Sequence, residues 1–239
     1  SQIHQVNSED VMLQHADITQ TFRPFAKSDI RLDKKAETAP WAVLSGMPMT
    51  YPRGCEIYGE GEAFSHIYQV VSGVVRIAKL LPDGRRQISG FYLPGDIFGF
   101  EAGEIHHFSA EAVVQTKLVA FRWQSLIATG TRSIGFFHEL LNVAMKDLRH
   151  TQAQLLVVGR KSALERVAAF LLEMSERSAS PDLVELAMPR HDIADYLGLT
   201  LETVSRMFAE LKDLGAIALE GARRVRLLDR DRLAGASTN

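Results

Sequence analysis

From Met49 to Arg122 the chain alternates apolar and polar positions over short stretches: "EIYGEGE", "HIYQVVSGVVRIAKL", "RRQISGFYLPGDIFGF" and "SAEAVVQTKLVAFR". A period of two is the signature of strands with one buried face, and turn residues divide the segments at near-regular steps. "LPDGRR" is a hairpin signal, with Pro82, Asp83 and Gly84 supplying the turn. Repeated short strands punctuated by glycine predict an antiparallel, jelly-roll-like β-roll over residues 41–132. Residues 1–40 are polar and weakly patterned and read as a flexible N-terminal arm.

From about Ser133 the period becomes helical. Phe137, Leu141, Ala144, Leu148, Thr151, Leu155 and Val158 are spaced 4-3-4-3-4-3, a heptad seam. Two readings fit: a core helix lying on the roll, or a long helix over 133–160 that pairs with its own copy. The polar remainder (Lys146, Asp147, Arg149, His150, Gln152, Gln154) leaves only a narrow seam and one flank to bury, which favours the dimerisation helix.

After a hinge at Gly159-Arg160-Lys161, residues 161–239 read as three helices and a small ribbon. "SALERVAAFLLEMSE" is an amphipathic helix and "RHDIADYL" a short one; Gly198 makes a turn, and "TLETVSRMFAELKDL" is a second motif helix that Gly215 ends. "AIALEGARRVRLL" is a hairpin with Gly221 at its tip. The whole is an α+β chain ending in a winged helix-turn-helix.

Within "YLGLTLETVSRMFAEL", Thr200 suits an N-cap. Leu201, Val204, Phe208 and Leu211 form the stripe expected to face the three-helix core. Glu202, Ser205 and Arg206 lie on another side, at i, i+3 and i+4. A recognition helix needs this division, one face for its domain and one for the major groove. Arg donates two bonds to guanine, Glu accepts from cytosine, and Ser bonds several base edges. Glu202 and Arg206 are also spaced to pair with each other, which would orient the guanidinium. The ordinary alternative is a solvated salt bridge; the preceding helix and the Gly198 turn weigh against it.

Composition narrows the classes. The 239 residues are 46% hydrophobic and 23% charged, enough core material for one large domain or two ordinary ones. The longest strongly apolar run is "LLVV" at Leu155–Val158, too short to cross a bilayer. "SQIHQVNSEDVML" lacks a basic n-region and an apolar h-region, so no secretory signal is expected. One cysteine, Cys55, excludes an internal disulfide and a Cys-ligated zinc or iron–sulfur site, and a cytoplasmic location is the default. Net charge is −2, and Lys161–Asn239 holds 11 basic against 13 acidic residues, so any nucleic-acid contact rests on a few placed side chains.

These residues carry a resemblance. "ETVSR" resembles the E-x-x-S-R signature of the FNR and FixK branches of the CRP/FNR superfamily of bacterial transcription regulators. "LPGDIFGFEAG", "VVGRKSALERVAAFLLEM" and "HDIADYLGLTLETVSR" look especially FixK-like, and Gly61, Gly73, Gly84, Gly95 and Gly99 match the spacing of the family's roll. The likeness covers nearly all of residues 45–230. It implies a homodimer that binds double-stranded DNA at an inverted repeat of the TTGAT…ATCAA kind. Glu202, Ser205 and Arg206 carry over as base readers, with Leu201, Thr200, Thr203, Arg190 and Arg224 as further DNA contacts. It also implies contact with RNA polymerase, activation of genes for low-oxygen respiration or nitrogen fixation, and no catalytic activity.

The departures matter as well. Oxygen-sensing relatives hold an iron–sulfur cluster through several cysteines, which this chain lacks. Members that bind cyclic nucleotides grip the phosphate with an Arg-Ser pair. Here the stretch is "HFSAEAV", with Phe108 at the arginine position and Glu101 as the pocket's acidic residue, so no cofactor is expected. Where many relatives have a hydroxyl residue before the first motif helix, this chain has Pro189, leaving Arg190 available for a phosphate.

Three side readings remain. His106-His107 invites a metal, but if the segment is a strand, adjacent side chains point to opposite faces and cannot chelate one ion, so solvated or packing histidines are the better reading. Cys55 is a candidate redox switch with only Arg53 nearby to favour a thiolate; the plain reading is a half-buried thiol. Arg223, Arg224 and Arg226 in the wing either meet phosphates or form a solvated face balanced by Asp229 and Asp231. The alternatives to a DNA-binding regulator free of effectors are an effector-gated sensor whose roll binds a small ligand, and a cupin-like enzyme.

Overall fold

The computed structural model describes residues 46–130, 134–178 and 180–236, so the arm expected over 1–40 lies outside the described residues. The chain is α+β. Strands β1 (Met47–Tyr51), β2 (Glu56–Tyr58), β3 (His66–Ser72), β4 (Val75–Leu80), β5 (Arg86–Tyr92), β6 (Ile97–Phe98), β7 (Ser109–Ala112) and β8 (Thr116–Arg122) pair antiparallel throughout. They form two sheets, ordered β1-β8-β3-β6 and β2-β7-β4-β5.

Period-two patterning assigns the faces. Tyr68 and Val70 of β3 and Leu118 and Ala120 of β8 point between the sheets, with Tyr58, Val75, Ile77 and Phe98. Their neighbours Ile67 and Phe121 point outward and are buried as well, because two helices cover that side. The first is α1 (Trp123–Gly130), a short helix that the sequence pattern does not announce; Leu126 anchors it. The predicted β4–β5 hairpin is present: Gly84 has φ 83°, and Asp83 accepts from the Arg85 N–H at 3.0 Å. Gly73 joins β3 to β4 at φ 90°, where a Cβ would stand 2.6 Å from the Gln115 carbonyl, so no larger residue fits.

The second covering helix is α2 (Ile134–Arg160), 27 residues long. Phe136 and Leu140 bury its N-terminal half against the roll, and the Tyr92 hydroxyl donates to Asp147 at 2.8 Å farther along. After Lys161, α3 (Ala163–Glu176) starts with a capping box: the Glu165 N–H donates to the Ser162 hydroxyl, and the Ser162 N–H donates back to the Glu165 carboxylate. β9 (Leu183–Glu185), α4 (Arg190–Leu197), α5 (Leu201–Asp213), β10 (Ile217–Glu220), β11 (Arg224–Leu227) and α6 (Arg230–Ala236) complete the chain. The wing is therefore a three-stranded sheet, β10-β11-β9, with one strand more than the expected ribbon, and α6 is a further addition.

The roll and the C-terminal helices share one core. Val74, Ile88, Phe91 and Val113 from the roll lie in the same buried cluster as Phe170, Leu171 and Tyr196, and the Phe91 and Tyr196 rings are 5.2 Å apart. Ionic ties flank this contact. Arg76 of β4 reaches Asp192 of α4 at 2.6 Å and Glu111 of β7 at 2.6 Å; Arg86 of β5 reaches Asp192 at 2.5 Å and Asp195 at 2.8 Å. Burial opposes the Arg76 charge, but hydrogen bonds to Glu111 and Asp192 outweigh it, and its pKa is raised. Arg177 bonds Asp96 and the Phe91 carbonyl on the other flank.

Candidate nucleic-acid interface

The helix-turn-helix is built by local rules. Pro189 stands at the α4 N-cap with φ −71°, contributing a pre-set backbone and no donor. Gly198 ends α4 in the left-handed region at φ 63°, which turns the chain sharply. Two residues later the Thr200 hydroxyl accepts from the Thr203 N–H at 3.1 Å and donates to the Thr203 hydroxyl at 3.0 Å, capping α5.

On α5, Val204, Met207, Phe208 and Leu211 are buried. Each such side chain contributes about 1.5–3 kcal/mol of burial free energy, enough to fix the helix's roll angle. Leu201 corrects the sequence reading: it is 44% exposed, at the start of the helix and clear of the core, and Met207 takes the inward place. Glu202, Ser205 and Arg206 are all exposed on the opposite side. Ser205 donates to the Leu201 carbonyl at 2.9 Å, which leaves its lone pairs outward. The anticipated Glu202–Arg206 pair is absent: among the described residues neither side chain has an ionic or hydrogen-bonding partner. A carboxylate and a guanidinium one turn apart are thus both free toward solvent.

The surrounding basic residues divide into tied and free. Arg190 is not extended toward solvent as the sequence suggested. Its guanidinium lies over the Phe208 ring, 3.1 Å from the centroid, with Nη1 buried and without a hydrogen-bond partner. Burial brings its pKa down to about 10. Arg226 is held by Glu220 at 2.6 Å across the wing hairpin, so the balancing acid is Glu220 and not Asp229 or Asp231. Arg223 and Arg224 are exposed, and Arg224 has no ionic partner among the described residues.

The heptad residues of α2 face away from the chain's own core. Phe137, Leu141 and Leu148 are 47 to 50% exposed and Leu155 is 69% exposed; Thr151 is exposed too, and Ala144 and Val158 are half-buried. Phe136 and Leu140, one residue earlier in phase, are the ones packed on the roll. One flank of the helix is therefore core, and the heptad seam is an exposed apolar stripe on another face. Val158, at its end, approaches the Gly198 turn of the helix-turn-helix.

Inside the roll, His106 and His107 lie in a loop and not on a strand, so the opposite-face argument does not apply to them. His107 Nδ1 is 2.9 Å from one Glu101 oxygen and His106 Nδ1 3.5 Å from the other. Burial lowers the His106 pKa, and Glu101 only partly offsets that. Among the described residues no group of three or more His, Cys, Asp or Glu could hold a metal ion. Cys55 is half-buried, and its carbonyl accepts from the Ala112 N–H at 2.9 Å.

A roll sharing its core with a winged helix-turn-helix, whose second helix leaves Glu202 and Arg206 unpaired, defines a regulator of the helix-turn-helix class. The comparisons with known proteins agree. Residues 165–236 match the family model of the Crp-like helix-turn-helix domain, and residues 48–129 that of the cyclic nucleotide-binding domain. The nitrogen fixation regulation protein FixK of Azorhizobium caulinodans is 44% identical over 209 residues, covering 85% of this chain and 84% of that protein. Its namesake in Rhizobium meliloti is 46% identical over 189 residues, covering 78% and 86%. The solved structure of FixK2 from Bradyrhizobium japonicum superposes with a TM-score of 0.79 at 44% identity, covering 82% of this chain and 99% of that one. This chain belongs to the CRP/FNR family of transcription regulators, in its FixK-like branch.

The family's cyclic-nucleotide group does not fit these residues. Phe108 stands half-buried against the roll core where a phosphate-gripping arginine is needed. Lys79 lies 5.5 Å from its ring centre but is paired with Glu60 at 2.7 Å. Stacked rings fill the interior, with Tyr58 on His106 at 3.6 Å and Tyr68 on Phe98 at 5.3 Å, and the largely buried Glu101 beside them would repel an anion.

Proposed function

We propose that two copies of this chain pair through the α2 seam and bind an inverted repeat of the TTGAT…ATCAA kind. Each α5 enters the major groove of one half-site, and the two sites lie about one helical turn apart. Arg206 donates to a guanine, Glu202 accepts from a cytosine, and Ser205 offers its free lone pairs to a neighbouring edge. Leu201 presents its exposed side chain to a thymine methyl. Thr200 and Thr203 approach the backbone beside the cap, and Arg224 meets a phosphate from the wing. Arg190 stays on Phe208 and supports the recognition helix from behind.

The observation that carries this reading is the pair of unpartnered charges on α5, opposite a fully buried face. The exposed seam supports pairing, because burying Phe137, Leu141, Leu148 and Leu155 against a copy removes apolar surface from water. Relatives named nitrogen fixation regulators and transcriptional activators support activation of genes for low-oxygen respiration or nitrogen fixation, with RNA polymerase as the further partner. The protein acts in the cytoplasm and without a cyclic nucleotide or iron–sulfur cluster; among the described residues no helix is long and apolar enough to cross a membrane.

The test is binding to a TTGAT…ATCAA duplex and to a scrambled duplex, in air, without added ligand, at a fixed salt concentration. Selective binding of two chains per duplex is the expected result. Equal affinity for both duplexes defeats the reading, and selectivity that appears only after a small molecule is added assigns the roll an effector.

A further inference from the structure

Five ionic side chains form one continuous chain of contacts between the roll and the first helix of the motif. In order they are Glu111, Arg76, Asp192, Arg86 and Asp195. Asp192 is fully buried, and its two oxygens are taken by two different strands: Oδ2 by Arg76 at 2.6 Å and Oδ1 by Arg86 at 2.5 Å. Arg86 also grips Asp195 through Nε at 2.9 Å, and Gln87 donates to the Asp195 carbonyl at 2.9 Å. One turn of α4 is therefore bonded through side chain and backbone to two neighbouring strands.

Stability alone does not explain such a joint. Phe91, Ile88 and Tyr196 already supply apolar contact across the same boundary, and the hydrophobic gain itself is non-directional, set by buried area. Buried ion pairs contribute little net stability, but their bonds are directional and tolerate one register. The heading of α4 is also the heading of α5. Three residues, Gly198 to Thr200, join the helices, and Phe208 and Val204 lie in the same core as Ile193 and Tyr196.

We propose that Asp192, Arg76 and Arg86 are positioning residues for DNA recognition: they lock the angle of α5 relative to the roll and to α2. In a paired molecule that angle decides whether two recognition helices meet successive major grooves together. This consequence rests on the DNA-binding reading above; the lock itself does not.

Because Asp192→Ala removes the carboxylate that both arginines share, the partly exposed pair Arg86 and Asp195 gives the cleaner test. Spin labels on Lys117→Cys and Glu210→Cys in a Cys55→Ser background report the roll-to-α5 distance. Mixing with excess unlabelled chain isolates the distance within one chain. The expected result is a narrow distribution that Arg86→Ala broadens while the melting transition stays cooperative. Arg86→Ala should also weaken cognate DNA binding by about tenfold, leave random-sequence binding within about twofold, and match the Arg86→Ala/Asp195→Ala double variant, as coupled residues do.

An unchanged distribution in folded Arg86→Ala overturns the proposal, as do equal losses on both duplexes or strictly additive effects in the double variant. If the parent protein fails to discriminate the duplexes while Arg86→Ala still broadens the distances, the DNA reading falls and the lock stands.

Discussion

α4 and α5 are neighbours in one motif, yet they dispose their charges in opposite ways. On α4, Asp192 and Asp195 are bound by arginines of the roll, and Arg190 is folded onto Phe208. On α5, Glu202 and Arg206 touch no partner among the described residues. The apolar faces of both helices are buried in the same cluster, so packing does not distinguish them. The difference lies in which polar groups the fold has already satisfied. A helix with all its charges committed is a structural strut; one with free charges beside a fixed face is prepared for something outside the chain.

The comparison breaks first, and most heavily, at Asp192. Asp192→Ala removes the buried carboxylate that Arg76 and Arg86 share, leaving each with only its outer acid, Glu111 or Asp195, and chemical denaturation should show a loss of about 3–5 kcal/mol. Replacing the central tie by apolar residues, with Arg76→Met and Asp192→Leu together, should recover part of that loss, because the more buried guanidinium goes with the carboxylate and Arg86 keeps Asp195, although Glu111 loses its partner. A loss below about 1 kcal/mol for Asp192→Ala, the usual range for exposed ion pairs, would mean that the network is solvent-tolerant and α4 is no strut.

Arg206→Ala acts at the other end of the comparison. It should leave stability within about 0.5 kcal/mol, since the exposed side chain has no ionic or hydrogen-bonding partner among the described residues, and should cost about 1–3 kcal/mol of cognate DNA binding per half-site. Choice at one G·C pair should relax in a panel of single-base variants. A uniform loss on cognate and random duplexes would reassign Arg206 from reading bases to neutralising phosphates.

Much of this contrast was legible in the sequence, but unevenly. The free face of α5 could be read because a capped helix with an i, i+3, i+4 polar set needs no long-range information. The phase of its first residue could not. Leu201 fits the apolar stripe by spacing, but at the helix start it lies beyond the core, and Met207 closes the packing instead. Asp192 was opaque for a different reason. An aspartate between His191 and Ile193 reads as solvated, and the arginines that bury it lie 106 and 116 residues upstream. The heptad of α2 announced an apolar stripe, while the residues packed on the roll, Phe136 and Leu140, sit one position out of that phase. β9 has three residues and α6 begins "RDR", so neither carries a periodic signal long enough to read.

The wing repeats the contrast on a smaller scale and gives its finest test. Arg224 and Arg226 share the exposed face of β11, with Val225 and Leu227 buried beneath them. Arg226 is neutralised by Glu220, whereas Arg224 is not tied, so the two differ in commitment and hardly in position. If free charges mark the DNA side, Arg224→Ala should weaken binding to cognate and random duplexes alike, and the slope of log K against log salt should become shallower by about 0.9 for each phosphate that the protein no longer neutralises. Arg226→Ala should change that slope far less, because removing it also frees a carboxylate and releases no bound counterion. Should Arg226→Ala flatten the slope more than Arg224→Ala, the Glu220 pair must open on the duplex, and a side chain's commitment within the chain would no longer indicate which residues meet DNA.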